Sequence, residues 1–167
     1  IVARVDRNGP LRQALAEEVL DLALLWQTED QGPGMGRCPL AWIAHPDLDI
    51  GALLASGEPL PLVMFDSPCL MRSRAIACLD AAGIPWQVVF VSHSLNGIWA
   101  AVQAGLGLTI RTRIGMPGNL RTVAGLLPSP GSLAVNLQQT PREGQHSAAV
   151  ALLGELMTEA LQGWVEM

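Results

Sequence analysis

The chain has 167 residues, of which 50% are hydrophobic and only 15% are charged, and its formal net charge is −5 at pH 7. This composition excludes a disordered chain, and the length suffices for one domain or two small lobes with a buried core. Ten arginines and no lysines are scattered without forming a basic face, so a chain that binds DNA by itself is not indicated. No apolar run approaches the roughly 20 residues of a membrane span, and no signal peptide opens the sequence.

The three cysteines, Cys38, Cys69 and Cys78, are too few and too scattered for a disulfide framework, and no C-x-x-C pair is present. Reduced thiols are typical of cytoplasmic proteins, so that compartment is expected. The three histidines are equally scattered. Neither a metal site nor a cofactor is predicted.

Short strands and one helix are predicted in the first third of the chain. The alternation of Ile1–Val5 and the apolar runs Leu20–Trp26 and Pro39–Ala44 indicate strands. A helix begins at Gly9 and runs to about Glu18, and Ile50–Ala55 forms one helical turn.

The segment from Pro61 onward begins with an apolar strand, PLVMF, followed by a helix with clear start and stop signals. Ser67 is placed to cap this helix and Pro68 suits its first position. Gly83 fits the left-handed position after its end, and Pro85 prevents continuation. Its apolar positions recur with helical spacing and form one face: Met71, Ala75, Cys78, Leu79 and Ala82.

The same pattern then repeats. The run WQVVFV over residues 86–91 predicts a strand, Ser94 is placed to cap a second helix, and Gly105 closes it. The apolar face of this helix consists of Leu95, Ile98, Trp99 and Val102.

Strands at Leu106–Arg111 and Leu133–Leu137 precede a final amphipathic helix. That helix starts either at a Thr140 capping box or at Ser147. Its predicted apolar face contains Ala149, Leu152, Leu153, Leu156, Ala160, Leu161 and Trp164. Strands that alternate with helices in this way predict an α/β fold with a mostly parallel sheet. The strands at 86–91 and 106–110 are expected to be neighbours in it.

The two strand-to-helix junctions are the best candidates for a binding site. In open α/β sheets, ligands lie at the carboxyl ends of the strands, where helix N-termini present N–H groups and partial positive charge. The first junction carries Ser67, Pro68 and Cys69, and the second carries Ser92-His93-Ser94. Helix capping alone accounts for one serine at each junction. The remaining polar groups indicate a small, anionic ligand.

The order of the segments resembles a known family. The opening "IVARVDRNGPLRQALAEEVLDLALL" is similar to the strand, turn, helix and L-D-L-A-L segment of bacterial LysR-type transcriptional regulators. The stretch "PLVMFDSPCLMRSRAIACLDAAGIPWQVVFVSHSLNGIWAAVQAGLGLTI" is closer still to the second lobe of their effector-binding domain. It shares the Pro-Cys-x-x-R helix, the A-G-I turn, the serine loop and the A-G-x-G ending.

This resemblance implies two Rossmann-like lobes of the type 2 periplasmic-binding-protein kind that close on a small effector. Lobe one is expected at residues 1–37 and 138–167, and lobe two at 38–137. The first strand and helix of lobe one are expected to be missing. The DNA-reading helix-turn-helix is also absent, so DNA is contacted only through a domain outside this chain. Homodimerisation through peripheral helices is a further expectation.

Additional site residues follow from this two-lobed arrangement. Trp26 and Gln27 end a lobe-one strand and are expected to face the crevice between the lobes. Arg72, one turn into its helix, is a candidate partner for a carboxylate, although such arginines are more often solvated. Arg111 and Arg113 are placed at the rim by the same argument.

Two other functions remain open at this point. An extracytoplasmic solute-binding protein of a transport system has the same lobes. A thiol enzyme would use Cys69 as nucleophile and His93 as base, but no acidic residue that orients the histidine is evident in the sequence. A sensor domain without enzymatic activity is therefore favoured.

Overall fold

The computed structural model describes residues 1–28, 34–140 and 148–163. Within these ranges the helices are α1 (Asn8–Ala16), α2 (Ile50–Ser56), α3 (Leu70–Ala81), α4 (Leu95–Gln103) and α5 (Ala148–Gln162). The strands are β1 (Leu22–Gln27), β2 (Gly36–Ala44), β3 (Leu60–Phe65), β4 (Trp86–Ser92), β5 (Thr109–Thr112), β6 (Arg121–Val123) and β7 (Ser132–Gln139). No helix in the described ranges is long and apolar enough to cross a membrane.

The chain divides into two compact units. Unit 1 contains Ile1–Pro39 and Ser132–Met167, and unit 2 contains Leu40–Gly131. The first part of β2 pairs with β7 and its second part pairs with β5 and β6, so this strand contributes to both units.

Unit 1 is built on the strand order β1-β7-β2. Helix α1 packs against β1 through a cluster formed by Leu11, Leu15, Ala23 and Leu25. The Asn8 side chain fixes the end of β1, since its amide nitrogen donates to the Trp26 carbonyl and its oxygen accepts from the Trp26 N–H.

The prediction of a mostly parallel sheet is wrong. β7 pairs antiparallel with both β1 and β2, and β2 pairs antiparallel with β5 and β6. The chain leaves unit 1 after Pro39 and returns at Ser132. These two passages run in opposite directions, which makes their pairing antiparallel.

Unit 2 contains the parallel part of the fold. β3 and β4 pair in parallel across the α3 crossover, and Leu62 on β3 also forms a parallel bridge with Leu108. The segments 86–91 and 106–110 were predicted to be neighbours, but β3 lies between them and pairs with both. Leu108 is buried as predicted, whereas Val88 and Phe90 are only half-buried because β4 has no second partner strand within the described chain.

The core of unit 2 lies between these strands and α4. It contains Ile43, Val63, Ile98, Trp99, Ala101, Val102 and Leu120. The predicted apolar face of α4 is buried except for Leu95. On α3, Met71, Ala75 and Leu79 are buried as predicted, while Cys78 is half-exposed and donates to the Ser129 carbonyl at 3.4 Å.

Two predictions for unit 1 need correction. Residues 1–7 form no strand, and Ile1, Val2 and Val5 are exposed, because no strand in the described chain lies beside them. Helix α5 does not bury its predicted apolar face, since Gly154 is its one buried residue among those described. Of the two predicted starts, Thr140 is described and lies before the helix, where its N–H donates to the Asp21 carbonyl at 3.0 Å. Ser147, with the rest of residues 141–147, and Trp164 lie outside the described ranges.

Candidate functional site

Both predicted junctions lie at one edge of the β3–β4 pair in unit 2. Phe65 ends β3 and Ser92 ends β4, and these two residues are directly paired. The backbone N–H of Asp66 donates to the Ser92 carbonyl at 3.2 Å, which extends the pairing one residue further. Because α3 and α4 each begin a few residues later, their N-termini lie at the carboxyl edge of the parallel pair, as expected for a ligand site in an α/β fold.

Helix α3 begins later than predicted. Its N-cap position is Cys69, which has an extended backbone and makes no side-chain capping bond. Ser67 and Pro68, joined by a cis peptide bond, lie in the connection before it rather than at the cap and the first helical position. At the other end, Gly83 adopts a φ of +66° as predicted.

At the second junction the predicted capping bond of Ser94 is absent. Ser94 occupies the N-cap position of α4, but its side chain makes no capping hydrogen bond. The Ser92 hydroxyl instead accepts from the Ser94 N–H at 3.0 Å and donates to the Ser94 carbonyl at 3.2 Å. Ser92 therefore holds the loop before α4, because its position at the strand end brings the hydroxyl across the turn.

His93 projects from this loop beside a carboxylate that the site prediction omitted. Its Nδ1 lies 3.5 Å from Oδ2 of Asp66, and the two side chains are 77% and 41% exposed. This pair is largely solvated and contributes little to stability. Among the described residues, no hydrogen bond joins His93 to the half-exposed thiol of Cys69.

Two arginines flank Phe65 at the same edge. The Arg72 Nη1 donates to the Phe65 carbonyl at 3.1 Å, so this predicted carboxylate partner is engaged by the backbone. The Arg111 guanidinium lies 4.0 Å from the centroid of the Phe65 ring, and its Nη1 lies 3.3 Å from Sδ of Met71. Burial lowers the pKa of Arg111, and the nearby Cys69 opposes that shift.

Arg111 was assigned only to the rim by sequence, but the structure places it within a mostly buried strand. It lies within the strand TIRT, whose other three residues are all buried. A charged residue in the middle of a buried strand requires a polar partner, and that requirement separates Arg111 from the exposed Arg113.

The remaining predicted residues, Trp26 and Gln27, belong to unit 1. Trp26 is half-buried, and Gln27 is only 3% exposed. The Gln27 Oε1 atom is buried and has no hydrogen-bond partner within the described chain. The structure thus places nine of the eleven predicted residues on unit 2 and these two on unit 1. The nine are Ser67, Pro68, Cys69, Arg72, Ser92, His93, Ser94, Arg111 and Arg113.

The two helix N-termini supply groups that favour negative charge. The first turns of α3 and α4 provide N–H groups that lack partners within their helices, and the helix dipoles favour negative charge there. The described residues contain no cluster of three or more His, Cys, Asp or Glu that could hold a metal ion.

This architecture is that of the two-lobed α/β effector-binding domains, of the type 2 periplasmic-binding-protein kind. It is similar to the effector binding domain of QuiR in complex with shikimate, with a TM-score of 0.70 at 11% identity, over 96% of this chain and 80% of that chain. It is also similar to the C-terminal domain of a probable LysR family transcriptional regulator from Rhodococcus sp. RHA1. The TM-score there is 0.64 at 22% identity, over 93% of this chain and 82% of that one.

Residues 3–162 match the LysR substrate binding domain, and the chain belongs to that family. It is 31% identical over 125 residues to the HTH-type transcriptional regulator PecT of Dickeya dadantii, covering 74% of this chain and 38% of PecT. It is 29% identical over 143 residues to the regulator DgdR of Burkholderia cepacia, covering 83% of this chain and 47% of DgdR. The chain thus spans less than half the length of these relatives. The predicted family and α/β fold class are confirmed.

Proposed function

We propose that this chain is the effector-sensing domain of a LysR-type DNA-binding transcriptional regulator and that its effector is a small anion. The observation that carries the proposal is the convergence of the α3 and α4 N-termini at the edge where Phe65 pairs with Ser92. Two helix N-termini at one sheet edge favour negative charge more than one does. The proposed contact residues are those of the two junctions: Ser67, Pro68 and Cys69, and Ser92, His93 and Ser94.

The proposal includes the rest of the regulator. Units 1 and 2 correspond to the two lobes of the family's effector domain. An effector that binds one conformation of the domain more tightly shifts the equilibrium toward it. That change is passed to a helix-turn-helix domain outside this chain, as the names of PecT and DgdR suggest. The regulator acts in the cytoplasm, where its DNA lies.

Related structures support a small effector. One is the QuiR domain with shikimate, and others are an OxyR2 regulatory domain from Vibrio vulnificus with sulfate and the HypT regulatory domain from Salmonella typhimurium with bromide. Sulfate and bromide are anions, and shikimate carries a carboxylate. These ligands favour the anionic class for the present chain.

The domain is proposed to have no enzymatic activity. Asp66 beside His93 supplies the acidic residue that the sequence did not reveal. A thiol enzyme also requires Cys69 and His93 within hydrogen-bond reach, and no hydrogen bond joins the two among the described residues. A transport solute-binding protein has a similar fold, but the family match and both regulators favour transcriptional control.

The test is a thermal-shift screen of the 167-residue chain with sulfate, small carboxylates and neutral compounds of matched size. Anions are expected to raise the melting temperature, since ligands that bind only the folded state stabilise it. If no small molecule changes the melting temperature, the sensor proposal is wrong.

Two serine variants refine the test. Ser92→Ala removes both hydrogen bonds that hold the loop, so it is expected to cost about 1 kcal/mol of unfolding free energy and weaken anion binding about tenfold. Ser94→Ala is the matched control for stability, because its side chain makes no capping bond, and its unfolding free energy is expected within about 0.5 kcal/mol of wild type. Urea denaturation measures stability, and calorimetric titration measures anion binding. Equal stability of the two variants contradicts the assignment of the loop.

A further inference from the structure

Arg111 has an unusual environment for a charged residue. Its guanidinium is covered by the Phe65 ring at 4.0 Å from the centroid, and Nη1 faces a thioether sulfur, that of Met71, at 3.3 Å. The Nε atom is buried, and within the described chain it has no hydrogen-bond acceptor. A thioether is a weak acceptor, so the contacts of this side chain leave most of its hydrogen-bonding capacity unused.

Two other arginines of unit 2 donate hydrogen bonds to oxygen atoms. Arg72 donates to the Phe65 carbonyl at 3.1 Å, and Arg121 donates to the Leu48 carbonyl at 3.1 Å. Arg111 has no such oxygen partner, and no carboxylate pairs with it among the residues that the structure describes. A guanidinium remains protonated in proteins, so this half-buried side chain carries a positive charge that no carboxylate of the described chain pairs with.

Buried charges in proteins are normally paired, and an unpaired one indicates a missing partner. We infer that Arg111 binds the carboxylate of the effector, which makes it the residue that selects organic carboxylates as the ligand class. This inference rests on the proposed sensor function and specifies the chemistry of its site.

The surroundings of Arg111 favour a carboxylate. The ring of Phe65 and the side chain of Met71 hold the planar guanidinium from the end of β3 and the first turn of α3. A guanidinium fixed in this way has lost its side-chain freedom before the ligand arrives, which strengthens bidentate binding of a planar carboxylate. The N-terminus of α3 adds positive potential at the same point.

A purely structural role makes a different prediction. If Arg111 serves only to stack on Phe65, its replacement changes stability but not the preference for charged over neutral ligands. If it binds a carboxylate, its replacement removes that preference. Arg113 on the same segment is exposed and provides a matched control.

The experiment is calorimetric titration of wild type, Arg111→Lys, Arg111→Met and Arg113→Lys with benzoate, shikimate and citrate, each compared with its neutral amide or ester. At least one carboxylate is expected to bind wild type and Arg113→Lys more tightly than its neutral partner does. Arg111→Lys keeps a charge but loses the planar fork, so its affinity for that carboxylate is expected to fall about tenfold or more. Arg111→Met is expected to lose the preference altogether. The lysine variant keeps the test valid if the methionine variant does not fold.

The outcomes separate this inference from the proposed function. Equal carboxylate affinity in wild type and both Arg111 variants overturns the role of Arg111 while the domain remains a sensor. The role of Arg111 is also overturned if wild type binds only neutral compounds, or binds no carboxylate more tightly than its neutral amide or ester. If wild type binds no compound of either kind, the sensor proposal and the role of Arg111 fail together.

Discussion

Gly97 in the first turn of α4 determines how closely the serine loop approaches the helix. A methyl group at this position would collide with the Ser92 hydroxyl and would lie 3.2 Å from the Ser92 Cβ. That hydroxyl is also the group that bonds both the N–H and the carbonyl of Ser94. The absence of a side chain at Gly97 therefore allows the loop geometry that positions His93 and Ser94.

Gly97→Ala is expected to destabilise the domain, in contrast to the usual effect of this substitution in a helix. Alanine is normally favoured over glycine by about 1 kcal/mol inside helices. Here the added methyl displaces the Ser92 hydroxyl and breaks its two hydrogen bonds, which is expected to cost about 1 kcal/mol net. Urea denaturation of the single variants and of the Ser92→Ala/Gly97→Ala double variant measures the coupling.

In the Ser92→Ala background, Gly97→Ala is expected to reduce the unfolding free energy much less, because the colliding oxygen is absent. Gly118→Ala serves as the control, since a methyl group there meets no atom within 4 Å. A Gly97→Ala protein that is more stable than wild type would show that the loop accommodates the methyl group without a loss of unfolding free energy.

Helix α4 has one apolar face whose residues differ sharply in burial. Ile98 and Val102 are fully buried in the core of unit 2, whereas Leu95 at the start of the helix is 41% exposed. All three were assigned to one apolar face from their spacing. The exposed end of that face lies at the edge that carries Ser92 and His93.

Ile98→Ala is expected to reduce the unfolding free energy by about 2–5 kcal/mol, because it leaves a cavity against Val63 and Ile43. Leu95→Ala deletes a side chain of similar size and is expected to cost less than about 1 kcal/mol. Chemical denaturation of both variants tests this difference. Similar losses of unfolding free energy would mean that Leu95 is buried in solution.

Local signals in the sequence predicted the helices of unit 2, since Gly83 and Pro85 end α3 by backbone chemistry alone. They did not predict the pairing of β2 with β7, which depends on where the chain leaves and re-enters unit 1. The capping bond predicted for Ser94 is absent because capping was assigned by position, whereas the end of β4 places the Ser92 hydroxyl within reach of the Ser94 backbone. Arg111 and Arg113 were equivalent in sequence, and only the packing around Phe65 separates them.

At the scale of the whole molecule, two elements each carry a pair of exposed apolar side chains. On α5, Leu152 and Leu156 are 56% and 53% exposed and lie one helical turn apart. On β4, Val89 and Val91 are 44% and 46% exposed and point to the same side of the strand. Apolar surfaces of this kind favour association or aggregation.

We expect the chain to form homodimers in which α5 takes part, because association removes Leu152 and Leu156 from water. Sedimentation velocity over a range of concentrations is expected to show a dimer for wild type. The Leu152→Glu/Leu156→Glu variant is expected to be monomeric, with an unchanged far-ultraviolet circular dichroism spectrum, since both side chains are largely solvated in the single chain. Gln162→Glu adds one negative charge at an exposed polar position of the same helix and controls for charge repulsion. A wild-type chain that stays monomeric at high concentration contradicts the prediction. A double glutamate variant that still dimerises would show that the dimer contact does not involve α5. Val89 and Val91 on β4 would then be the next residues to substitute.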